Sequence, residues 1–101
     1  MGIIITLEGE RGDEEKTLTD PSLLLNGLLP EASDRSFRCL GFVDEYGNAI
    51  FNRLQMPDLI AELERVAGGA DSEQRALLTR ILELARECRD QVHLYVRFRG
   101  D

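Results

Sequence analysis

One histidine, one lysine, two cysteines and no apolar run near the roughly 20 residues a membrane-spanning helix requires: these shortages bound the chemistry of this chain. His93 alone excludes metal sites built on paired histidines. A site drawing on His93, Cys39 and Cys88 has no CxxC or HxxxH spacing to bring two ligands together, so neither a metal nor a cofactor is expected. The same cysteines are expected as buried free thiols in a reducing compartment. Gly2 to Leu7 is too short for the apolar part of a secretory leader and has no basic residue before it, which points to a cytoplasmic protein.

Basic charge is also scarce. The formal net charge of −7 opposes binding to nucleic-acid phosphates and favours encounter with a basic partner. Lys16 stands against eleven arginines, first of all a coding bias of the source genome, with bidentate pairing as the functional alternative. More than half of the net negative charge falls in the polar stretch Glu8 to Asp20, where Arg11-Gly12-Asp13 marks a turn and the whole reads as a hairpin tip or a mobile loop.

What is present is a clear switch of hydrophobic period. Leu77, Ile81, Leu84 and Cys88 recur at helical spacing, after which Val92, Leu94, Val96 and Phe98 alternate with His93, Tyr95, Arg97 and Arg99, as in a strand. Gly2 to Glu8 reads as another strand, with Ile3, Ile5 and Leu7 on one face and Ile4, Thr6 and Glu8 on the other. Asp20-Pro21 opens a short helical turn that Asn26-Gly27 closes, and its leucines, Leu23 to Leu25, Leu28 and Leu29, must dock on something. Phe37 to Val43 and Ala49 to Leu54 read as a hairpin turned at Asp44 to Asn48, with Gly47 supplying a positive φ.

Pro57 and Asp58 start a helix that runs through Val66, burying Leu59, Ile60, Leu63, Val66 and Ala67 and turning Asp58, Glu62 and Arg65 outward. Gly68-Gly69 stop it, and Asp71 with Gln74 forms a capping box for the next helix. The expected fold is therefore one α+β domain, 1–101: an antiparallel or mixed sheet of about four strands with two helices packed on one face. The expected order is β, short helical turn, β, β, α, α, β. Because the hairpin is apolar on both sides, its second face needs a lid, supplied by Pro21 to Leu29 or, slightly favoured, by a second copy of the chain.

No residue pattern reads as catalytic. Asp44 and Glu45 are turn formers, Asp13 to Glu15 lack calcium-loop spacing, and neither cysteine sits where a thiolate is favoured. The interaction candidates are His93, Tyr95, Arg97 and Arg99 on the last strand, joined by Arg38 or Arg53 if the hairpin brings either to that face. Against this stands cross-strand neutralisation of the arginines by Glu8 and Glu10, or by Asp101. The functional expectation is a non-enzymatic, acidic protein-binding module of immunity or antitoxin type, acting through its sheet face or acidic loop on a protein partner or a second copy. The alternative is a small anionic-ligand-binding or catalytic domain with a pocket between sheet and helices, lined by arginines.

Overall fold

The computed structural model describes residues 2–31 and 33–100. Four antiparallel strands, β1 (Ile4–Gly9), β2 (Glu14–Thr19), β3 (Asn48–Asn52) and β4 (Leu94–Arg99), lie in the order β2-β1-β4-β3. Two helices, α1 (Met56–Ala67) and α2 (Ser72–Asp90), complete an α+β fold. Among the described residues no helix is long and apolar enough to cross a membrane.

Alternation builds the central pair. Ile3, Ile5 and Leu7 of the β1 segment and Leu94, Val96 and Phe98 of β4 all project to the same side, where they meet Phe51 of β3 and the buried residues of both helices in one core. Phe51 packs edge-on against Phe98, with ring centroids 5.9 Å apart. On α1 the buried stripe is Met56, Leu59, Ile60 and Leu63; on α2 it is Leu77, Leu78, Ile81, Leu82, Leu84, Ala85 and Cys88. The α2 start is capped reciprocally: the Gln74 N–H donates to the Asp71 carboxylate at 2.8 Å, and the Asp71 N–H donates to the Gln74 side-chain oxygen at 2.9 Å.

The second strand comes from a different segment than the hydrophobic pattern indicates. Glu14–Thr19 pairs with β1 along its length, Ile4 opposite Thr19 and Leu7 opposite Lys16, so the polar stretch is a complete hairpin. Its turn holds Gly12 at φ +82°, a conformation that glycine adopts without steric cost. The strand escapes detection because only Leu18 among its side chains is even half-buried; the backbone ladder to β1, with Lys16 reaching Glu87 of α2 at 2.7 Å, makes it a strand.

Phe37 to Val43, expected as a strand, is a loop ending in a 3-10 turn at Leu40–Phe42. Neighbouring Cys39 and Leu40 are both buried while Phe42 is 72% exposed, a sequence of directions that strand alternation forbids. The loop is held from below by Glu62, expected on the outer face of α1 but 7% exposed: its carboxylate accepts the backbone N–H groups of Arg38, Cys39 and Leu40 at 2.8–3.1 Å. The partner of β3 is accordingly β4, and Gly47 takes no positive φ. Positive φ falls instead at Gly12, Leu23 and His93.

The leucine-rich segment docks in the main core rather than over the other side of the sheet. The buried Asp20 carboxylate accepts the N–H groups of Leu24 and Leu25 at 2.9 and 2.7 Å, which turns Leu25 inward to 1% exposure. Leu24, Leu28 and Leu29 pack against the same core. With 37–43 out of the sheet, the doubly apolar ribbon does not form, and the requirement for a lid goes with it.

Candidate functional site

The sheet face opposite the helices is lined in rows set by the strand register. One row runs Thr19, Ile4, Arg99, Asn48; the next runs Thr17, Thr6, Arg97, Ile50; the third runs Glu14, Glu8, Tyr95, Asn52. Among the described residues no helix or strand lies over it: Thr17, Thr19, Asn48 and Asn52 are exposed, and Ile50 is 50% exposed.

At its centre is a polar knot that secondary structure alone assembles. Thr6 and Glu8 are two residues apart on β1 and so point the same way; the Thr6 hydroxyl donates to Glu8 Oε2 at 2.6 Å. Arg97, directly opposite Thr6 on β4, brings its Nε to 3.5 Å from the same oxygen. Thr6 and Glu8 are buried, at 0% and 6% exposure, although no helix or strand among the described residues covers their side of the sheet. Arg99 reaches Glu14 of β2 at 3.8 Å. Thus both arginines of β4 sit beside carboxylates, one on adjacent β1 and one on β2 beyond it.

The six interaction candidates fall into groups that meet at Tyr95, with Arg38 apart. Tyr95, Arg97 and Arg99 share the open face. His93 is not on the strand: β4 begins at Leu94, and Val92 and His93 form the exposed turn before it, with His93 at φ +67° and its Nδ1 hydrogen-bonded to Glu10. Arg53 lies in the 3-10 turn after β3, where it shares a concavity of about 310 Å³ with Leu54, Val92, His93 and Tyr95. Arg38 is on the loop held by Glu62, away from the sheet. Glu14 and Thr17 on β2 and Ile50 on β3 complete the face; nothing in the local pattern of the β2 segment signals the first two, and only the pairing of strands finds them. Asp101 lies outside the described residues.

Both thiols are buried, Cys39 Sγ near the Gln55 carbonyl at 3.8 Å and Cys88 Sγ near the Leu94 carbonyl at 3.3 Å. Burial pushes each thiol up to about 11; for Cys39 the carboxylates of Glu62 and Asp58 add to the effect. Such thiols are protonated and unreactive at neutral pH. Among the described residues, no group of three or more His, Cys, Asp or Glu side chains is placed to hold a metal ion. No family model matches the chain, and no characterised protein or solved structure matches it significantly.

Proposed function

We propose that this protein is a non-enzymatic binding module that recognises a protein partner through the open face of its sheet, in the manner of an immunity or antitoxin protein holding a basic target. The observation that carries the reading is the uncovered face itself, where Tyr95, Arg97, Arg99 and Ile50 stand on adjacent strands beside Glu8 and Glu14. Tyrosine and arginine are the residue types enriched at the energetic centres of interfaces. Glu8 and Glu14 lie 3.5 and 3.8 Å from Arg97 and Arg99, so both arginines have a carboxylate beside them before a partner arrives.

Charge adds direction. The hairpin that borders this face carries Glu10, Asp13, Glu14 and Glu15, and the net charge of −7 accelerates encounter with a basic surface. An anion pocket receives less support, because it requires arginines converging on one concave site, whereas Arg38, Arg53, Arg97 and Arg99 are dispersed and the last two already face carboxylates.

The test is affinity capture from the source lysate with the unaltered chain and with a Tyr95→Ala, Arg99→Glu double variant. A partner that the unaltered chain retains at low salt, releases at high salt and that the variant fails to retain supports this reading. Equal capture by the variant, or no salt-sensitive partner at all, overturns it.

A further inference from the structure

We infer that two copies of this chain associate through their β3 edges, joining their sheets into one of eight strands across a twofold axis at Ile50. This goes beyond the partner proposed above and does not depend on it. β3 ends the sheet, and its free side is accessible in a defined way. Gly100 donates to the Gly47 carbonyl at 2.6 Å on the same ladder, so the alternation of antiparallel bonding directs Ala49 and Phe51 toward β4 and leaves Asn48, Ile50 and Asn52 pointing outward. The Asn52 N–H agrees with this, since it is taken by the Gln55 side chain rather than by β4.

The free edge is complementary to itself. The strand reads Asn48, Ala49, Ile50, Phe51, Asn52, so an antiparallel copy sets Asn48 against Asn52, small Ala49 against large Phe51, and Ile50 against Ile50. Ile50 donates to and accepts from its own counterpart, and each Asn48 N–H donates to an Asn52 carbonyl, giving four bonds across the axis. Two of the exposed apolar side chains share this symmetry: Tyr46, 76% exposed, and Leu54, 81% exposed, stand four residues to either side of Ile50. The pairing carries each copy's Arg53, which has no ion-pair partner among the described residues, toward the Asp44-Glu45 end of the other.

Charge also selects this edge over the opposite one. β2 carries Glu14, Glu15 and Lys16, the kind of protection that keeps an edge unpaired, while β3 carries no charged residue. The acidic strand lies three strand spacings from β3, about 14 Å. That exceeds the Debye length of roughly 8 Å at physiological ionic strength, so the charge of β2 in one copy is screened from contact at β3.

Sedimentation velocity from micromolar to near-millimolar concentration tests the association, with the monomer at 11.4 kDa. The unaltered chain should move toward twice that mass as concentration rises, and Ile50→Lys, which places two cations on the axis, should stay at the monomer mass with an unchanged circular dichroism spectrum. An Ile50→Cys variant should cross-link to itself on mild oxidation, because residues facing each other in such a pair have Cα atoms about 5.5 Å apart, within disulfide reach. Thr17→Cys, exposed on β2, is the control and should not. A chain that stays monomeric throughout, or an Ile50→Cys protein that cross-links no faster than Thr17→Cys, overturns the inference.

Discussion

Glu62 of α1 accepts a 2.8 Å hydrogen bond from the backbone N–H of Leu40, and its carboxylate also takes the N–H groups of Arg38 and Cys39. One buried anion thereby satisfies the donors at the start of a 3-10 turn that has no capping side chain of its own. Replacement by alanine leaves these donors without an acceptor beneath the loop. Glu62→Ala should cost about 2–4 kcal/mol, and Glu62→Gln, which keeps one acceptor oxygen, less. Urea denaturation of both variants checks the order; equal loss would show that the packing of the stem, rather than the carboxylate, holds the loop.

The two thiols predict a fall of stability in alkali. Their folded values of about 11 lie above the ordinary 9.0, so their contribution is intact below pH 9 and is lost as pH rises from 9 through 11. A two-unit elevation corresponds to roughly 3 kcal/mol per thiol as an upper bound. The urea midpoint should drop across this window, and the drop should be shallower in a Cys39→Ala, Cys88→Ala protein. A thiol reagent at pH 8 should label neither cysteine until the chain is unfolded.

The polar knot on the open face separates structural from binding roles. Thr6→Val removes the hydroxyl that donates to Glu8 and should lower stability by about 1 kcal/mol. Arg97→Ala leaves the buried Glu8 carboxylate without its counter-charge and should cost more. Arg99→Ala, whose pair with Glu14 is partly exposed, should change the melting temperature little. Thermal melts of the three variants establish the ranking, and a large effect of Arg99→Ala would contradict it.

Gly100 is required by a close approach of backbone. A Cβ there would stand 2.4 Å from the Asp44 carbonyl oxygen and 2.5 Å from the Glu45 carbonyl carbon. Gly100→Ala must displace the turn that leads into β3, and with it the bond from Gly100 to Gly47. Amide exchange should accelerate at Gly100 and along β3 while α2 stays protected. Uniform protection in the variant would mean that the turn yields at no cost.

Where burial and periodicity coincide, the elements were legible. Ile3, Ile5 and Leu7, the α2 stripe ending at Cys88, and Leu94 to Phe98 all follow their expected faces, because each side chain direction is set by the local backbone period. The Asp71 capping box is legible for the same reason, its partners being three residues apart. β2 was not, since an edge strand with polar residues on both faces has no hydrophobic period to detect. Phe37 to Val43 misled in the opposite sense: its apolar composition resembles a doubly covered strand, whereas Cys39 and Leu40 are buried by a loop draped on α1. The open face was half visible, Thr6, Glu8, Tyr95, Arg97 and Arg99 being assignable to faces of their own strands.

The class of fold, the elements β1, β3, α1, α2 and β4, and the polar character of one side of β1 and β4 follow from the amino-acid order, because each depends on residues within a few positions of one another. Which segment completes the sheet, that Glu62 turns inward to hold a loop, and that Arg53 and His93 gather in turns beside Tyr95 while Arg38 lies away from the sheet were decided only in three dimensions. Those outcomes depend on backbone hydrogen bonds and close contacts between distant segments, and a backbone donor leaves no mark in side-chain composition.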